Sequence, residues 1–514
     1  MQRRPVLTVL VALVLTLAAC ATPTQGDAAD EARIAIGTDP STFDPAAARA
    51  TDDYTVARLL YDTLLRRDDD GTLVPGLAES WTAIDAATYT LVIRPDARCA
   101  DGTPITAGIV AASLGRLLDP ATGSTARSLV IGGGEATVTA DDPARTVTVS
   151  LSEPWSDLPV GLTLPQAGIV CPAGIADPEG LAAGTAAGAA SGPYTLSASR
   201  VSVAYTLALR EDYDQWPAFA EPLTGSAPRR LQLVPTADQS TAATQLLAHG
   251  LDVATLSDRN VTRLDGVDGF TTATSNNAST YLLFNQREGS IFADDPALRT
   301  AVAQLVDRSA FDDLFSQGRG EVLDTVSSPA TTCASDDDSL LVAQDPEAAR
   351  TALDGVRIRL VGPTGAFEQG VAYLAEVLRS AGAEVDLDLV DNATWSTRTG
   401  GGGSDWDLTL QADLNLTGTL TSSLLRAMGP VTEDGGRNKT GDESEDGYRD
   451  LRAALATTDG DERCTLLASA QERMLQDVDV VPLASMPTTL VVDDRYSVRV
   501  HADDIDLSTL RTEP

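Results

Sequence analysis

At 514 residues the chain is longer than one hydrophobic core ordinarily supports, so two or more lobes are expected. A hydrophobic content of 43% against 22% charged residues fits a globular protein rather than a disordered or membrane-embedded one. The net charge of −37, with Lys439 the only lysine, argues against nucleic acid as a partner and against charge-driven adhesion to anionic lipid, since both demand a basic footprint.

The chain opens with Arg3 and Arg4, followed by an apolar run, Val6–Leu17, too short for a comfortable membrane span. Leu17-Ala18-Ala19-Cys20 then resembles the bacterial lipobox, so residues 1–19 are expected to be a signal peptide and Cys20 to carry a lipid. No second long apolar run follows, which predicts anchorage at the extracytoplasmic face of the cell membrane without crossing it. Residues 20–31 are small and polar and read as a flexible tether.

Ala32–Gly37 reads as a strand, and Asp53–Leu65 as a helix capped by Asp52 or Asp53. Tyr89, Leu91 and Ile93 alternate with polar neighbours as a half-buried strand does. Asp101-Gly102 then supplies a turn, and Thr106 caps a helix towards Leu118. Strands near 136–139 and 146–151 follow, then a small-residue linker, Gly180–Gly192. Further strands fall at 194–196, 205–209 and 230–234, with a helix near 240–249. Strand Val356–Val361, helix Phe367–Ala381 and strand Val385–Leu389 form a βαβ unit, which predicts a parallel sheet in this half. Gly400–Gly403 and Glu433–Gly447 read as loops. Helices near 448–456 and 462–476 precede the last strands, 480–482 and 489–492.

Besides Cys20 there are four cysteines, Cys99, Cys171, Cys333 and Cys464, an even number that favours disulfides in an exported chain. Three pairings are open; Cys99–Cys171 with Cys333–Cys464 is expected, because each bond then stays within one half of the chain. No zinc spacing is present, and His249 and His501 stand far apart, so no metal ligands are expected. Nor is there a G-x-S-x-G or H-E-x-x-H motif, which disfavours a hydrolase.

Several blocks, in order, resemble the family 5 extracellular solute-binding proteins, the oligopeptide, dipeptide and nickel receptors of ABC importers. They are STFDPA (41–46), LLYDTL (59–64), PGLAESW (75–81), TYTL (88–91), DGTPITA (101–107), SGPYTL (191–196), LLFNQ (282–286), DPALRTAVAQLVDR (295–308) and AQERMLQDVDVVPL (470–483). The resemblance implies an α/β, type II periplasmic-binding-protein fold, with two lobes around a cleft. Lobe I would span 32–280 with an extra subdomain at about 61–185, lobe II 281–486, and 487–514 would return to lobe I. Crossings are expected near Ser279–Gln286 and Met486–Val491. It further implies a monomer without cofactor or reaction that captures short peptides and delivers them to a permease and ATPase. A nickel or metal-chelate receptor, or one for another small solute, is the alternative.

In peptide-binding members a carboxylate of the second lobe anchors the ligand's free amine. The matching block after Trp406-Asp407 is LTLQADLNLTGTL, which implies Asp413 in that role, with Gln411 and Asn415 beside it. Trp395 matches an aromatic near the cleft, Tyr281 and Asn285 lie on the crossing strand, and 47–54 and 191–193 would border the ligand. The family commonly has Phe-His before its D-G-T-P turn. Cys99-Ala100 stands there instead, which points to a covalent tie in place of aromatic packing.

Overall fold

The computed structural model describes residues 30–513 apart from 277, 294, 329, 336, 443, 444, 502 and 503; the leader and Cys20 lie outside the described residues. Strand periodicity explains how the chain divides. In one seven-stranded sheet, Glu31–Ile36 alternates half-buried and buried and runs parallel to Arg230–Pro235 and Val253–Leu256. Its buried Ile34 and Ile36 pack with Val56, Leu59 and Leu60 of helix Thr51–Leu60. That helix begins two residues earlier than expected and ends at Leu60 rather than Leu65, which starts a short strand. Asp53 reaches back to the amides of Arg49 and Ala50 from the first turn, while Asp52 accepts from the amides of Gly37 and Thr38.

The second large sheet has five strands in the order Glu384–Val390, Arg357–Pro363, Leu408–Leu414, Ala278–Phe284, Val480–Ser485. The βαβ unit is present, its helix Glu368–Ser380 burying Val371, Leu374 and Leu378 against Ile358 and Leu360. The sheet is nevertheless mixed rather than parallel, because Ala278–Phe284 pairs antiparallel with both of its neighbours. Alternation sorts its two faces: Leu282, Phe284, Leu408 and Leu410 enter the apolar core beneath the helices. Ser279, Tyr281, Thr409, Gln411 and Asp413 therefore occupy the opposite face, with Tyr281 beside Gln411 and Ser279 beside Asp413.

The chain passes between the sheets twice at one place. Phe270–Ser275 belongs to the first sheet and Ala278–Phe284 to the second; Val480–Ser485 belongs to the second and Thr488–Asp493 to the first. The two passages run side by side, and the Met486 amide donates to the Ala278 carbonyl at 2.8 Å.

A third, antiparallel sheet orders Ala78–Asp85, Thr88–Ile93, Thr146–Leu151 and Ala136–Asp141. Helix Ala107–Leu118, capped by the Thr106 hydroxyl, lays Val110, Leu114 and Leu117 in the same core as Leu91, Ile93, Val147 and Val149. Disulfides join Cys99 to Cys171 and Cys333 to Cys464, the pairing expected from the sequence. The Asp101-Gly102 turn requires its glycine, whose φ is +84°.

Two loop assignments differ from expectation. Within Gly180–Gly192 the chain forms helix Pro178–Ala183 and then buries Ala189–Gly192; a Cβ on Gly192 would stand 2.7 Å from the Leu60 carbonyl carbon. Small residues serve close packing there, not flexibility. The helix expected near 448–456 begins inside the expected loop, at Glu445.

Candidate ligand-binding cleft

Where helix Thr51–Leu60 of the first lobe faces strand Leu408–Leu414 of the second, a cavity of about 800 Å³ opens. A second recess of about 860 Å³ shares Thr51, Asn392, Ala412 and Leu414 with it and reaches the crossing residues Met486 and Thr488. Together they form one trough between the lobes.

Its second-lobe wall is built from the polar face of the five-stranded sheet. Asp391 caps helix Asn392–Gly400, accepting from the Ala393 and Thr394 amides, which sets Trp395 on the next turn. The Trp395 indole donates to the Thr409 hydroxyl at 2.8 Å, and the Lys439 ammonium lies 4.2 Å from its ring centroid. Lys439 is only 6% exposed and donates to Thr399 Oγ1 (3.2 Å) and Gln411 Oε1 (3.1 Å). Burial, reinforced by Arg426 and Arg437 and opposed by Asp413, pushes its pKa down to about 7.

The loop carrying these cations is pinned by Asn438. Its side-chain oxygen accepts from the Thr440 amide and hydroxyl and the Gly441 amide, and its side-chain nitrogen donates to the Gly429 and Asp442 carbonyls. The Lys439 amide donates to the Arg426 carbonyl at 2.9 Å, tying the loop to the segment after helix Leu420–Leu424.

Asp413 is fully buried. One of its oxygens accepts from Arg426 Nε (3.0 Å) and pairs with Nη2 (2.9 Å); the other accepts from the Ser423 hydroxyl (3.1 Å). The carboxylate expected at a ligand amine is thus already paired with a guanidinium of the protein. Arg437 approaches the same carboxylate only to 4.0 Å, and its Nε has no hydrogen-bond partner. Burial and the adjacent Arg426 lower its pKa to about 10. The Tyr281 hydroxyl is buried without a partner, and burial and Asp413 hold its pKa well above the ordinary value. From the first lobe, Gln166 Oε1 lines the same cavity, buried and likewise without a partner. Unsatisfied polar groups of this kind are uncommon in protein interiors.

The structure brings Trp395 and Gln411 to the cavity wall, with Asp413 and Tyr281 among the cations behind it. Asn285 and Asn415 do not line it. Asn285 donates to the Gly403 and Trp406 carbonyls, and Asn415 spans its own turn to Thr419 and Gly418. Of 47–54, Arg49, Ala50, Thr51 and Tyr54 line the cavity, whereas the Ser191 carbonyl accepts from Arg210 and Gln215. Sequence reasoning missed Arg426, Arg437 and Gln166. Lys439 alone carried a signal, as the single lysine of the chain. Among the described residues lining this cavity, Arg49, Arg127, Arg426, Arg437 and Lys439 are cationic and none is acidic, in a chain with 74 acidic and 37 basic residues.

Two α/β lobes joined by paired crossing strands, with a further sheet on the first lobe and a polar trough between them, define the two-lobed fold of solute-binding proteins. The chain belongs to the bacterial extracellular solute-binding proteins, family 5, whose description matches residues 72–413. A substrate-binding protein from Microbacterium hydrocarbonoxydans, solved with 4-hydroxybenzoate hydrazide, is 40% identical, with a TM-score of 0.83 over 94% of this chain and 100% of that one. The periplasmic murein peptide-binding protein MppA of Escherichia coli is 38% identical over 84 residues, 16% of either chain. The glutathione-binding protein GsiB of Escherichia coli is 34% identical over 149 residues, 29% of this chain and 28% of its own. The matched stretches thus span well under a third of these two curated relatives.

Proposed function

We propose that this chain is the solute receptor of an ABC importer, capturing a short peptide or a compound of similar size between its lobes and presenting the closed form to a permease and ATPase. One observation carries the reading: the trough is walled by both lobes and lined with buried polar groups that have no partner within the protein. A solute bonding to both walls favours the closed arrangement by its differential affinity, and the paired crossings provide the hinge. The relatives support a small ligand, since one is named for a murein peptide, one for glutathione, and one was solved with an aromatic hydrazide. The protein acts as a monomer, held at the membrane by a lipid on Cys20.

Thermal-shift and calorimetric screening with di- to pentapeptide pools and small organic acids, amides and hydrazides tests this. At a hundredfold excess over Kd, a ligand specific for the folded state stabilises by about 2.7 kcal/mol, which raises Tm measurably. No shift with any pool overturns the reading. The anchor is tested separately: wild type should fractionate with membranes carrying a lipid on Cys20, and Cys20→Ser should release the protein. Equal membrane retention of both forms contradicts it.

A further inference from the structure

We infer that the cleft selects solutes bearing a carboxylate and seats that group between the Arg437 guanidinium and the Lys439 ammonium. This rests on the reading of the trough as the solute site.

Three independent observations lead there. The first is charge balance. The five cations lining the cavity face no carboxylate within its walls, although acidic residues outnumber basic ones two to one in the chain. Arg49 spends a hydrogen bond on the Gly123 carbonyl, Arg127 bonds the Leu118 and Gly134 carbonyls and pairs with Glu135 outside the cavity, and Arg426 is neutralised by Asp413. Arg437, and Lys439 in its protonated form, remain as positive charges without a carboxylate in hydrogen-bonding range. A buried charge is costly unless paired, so an incoming anion gains more here than at the surface.

The second is hydrogen-bond supply. Arg437, which lines the cavity, has an Nε donor without an acceptor, and Lys439 has one ammonium hydrogen beyond those given to Thr399 and Gln411. A guanidinium matches the two oxygens of a carboxylate, with an ammonium as a further donor. Both lie beside the Asp413–Arg426 pair: Arg437 comes within 4.0 Å of Asp413, and the Lys439 amide donates to the Arg426 carbonyl.

The third is what the site withholds. The acceptor that would suit a free amine, Asp413, is engaged on both oxygens by Arg426 and Ser423. A peptide would therefore be recognised at its carboxyl end, not its amine. Trp395, beneath Lys439, offers an aromatic wall to whatever the carboxylate is attached to.

The experiment is a calorimetric titration with matched probes: N-acetyl dipeptides with a free carboxylate, the same dipeptides with a free amine and a carboxamide end, 4-hydroxybenzoate against 4-hydroxybenzamide, and inorganic phosphate. The inference expects the acids to bind at least tenfold more tightly than their amide counterparts, and Arg437→Gln to abolish most of that preference. Arg437→Lys should keep part of it. If Arg437→Gln fails to fold, the acid–amide comparison on wild type decides alone. Tighter binding of the free-amine amides, equal binding of both series, binding of uncharged solutes only, or phosphate matching the acids overturns the inference while the receptor reading stands. Failure of every probe and of the wider pools overturns both.

Discussion

Lys439 is held where a lysine is least at ease. Its ammonium faces Arg426 and Arg437 and is balanced only by Asp413 and the Trp395 ring, so its pKa falls from 10.5 to about 7. Between those values the unfolded chain holds a proton that the folded protein lacks, so this group's contribution to stability rises with pH through that window. Lys439→Met should therefore stabilise the apo protein at pH 6 by on the order of a few kcal/mol, seen as a higher Tm, an effect that shrinks towards pH 10. Solute binding should respond in the opposite sense. Affinity for a carboxylate should fall as pH rises through 7 in the wild type, and in Lys439→Met be weaker and nearly flat with pH. Melting curves and titrations at pH 6, 7 and 8.5 check both halves. Asp413 illustrates what one position can hide. Its place near the cleft was readable from its block, but its pairing with Arg426, thirteen residues on, depends on how a helix and a loop fold back over the strand.

Regular elements were the most legible. The Tyr89 strand, the Thr106 cap, the βαβ unit and the disulfide pairing follow from period, capping chemistry and chain halves, and the structure contains them. The segment bearing Arg437 and Lys439 was read only as a loop, because side-chain-to-backbone bonding of the kind Asn438 makes has no periodic signature. Asn438→Ala removes five hydrogen bonds and should lower stability by roughly 2 kcal/mol, from bonds worth about 1 kcal/mol or less each in a partly relaxing loop. It should also weaken carboxylate binding, since both cations lose their fixed placement; denaturant unfolding and calorimetry measure the two effects. Replacing Cys99 and Cys171 together with serine should cost about 2–5 kcal/mol, read as a lower denaturation midpoint, because the bond closes a loop of 72 residues. Solute selectivity should not change, since both sulfurs lie in the first lobe's extra sheet region and not in the cleft.

At the scale of the molecule, the cavity beside Lys439 inverts the charge of the protein around it, a cationic pocket within a net charge of −37, whereas Asp258 lines the adjoining recess. The extra sheet region also clasps the second lobe away from the cleft. Asp157 pairs with Arg463 and accepts from the Thr419 hydroxyl, and the Ser156 amide donates to the Leu455 carbonyl. Arg463→Ala leaves the buried Asp157 without its cation, a loss on the order of 3–5 kcal/mol for a buried pair, and opposes closure. Binding of acids and amides should weaken by a common factor, their ratio unchanged, because the clasp touches no solute. Arg437→Gln should do the reverse, changing the ratio. The two variants thus separate closing from recognising.

The most direct measurement is the affinity of one carboxylate-bearing probe for the wild type and for Arg437→Gln, compared in the same titration with its carboxamide. Tight binding of the acid by the wild type is expected, with at least tenfold loss in the variant and little change for the amide. Equal affinity of the acid for both proteins, or preference of the wild type for the amide, would contradict it.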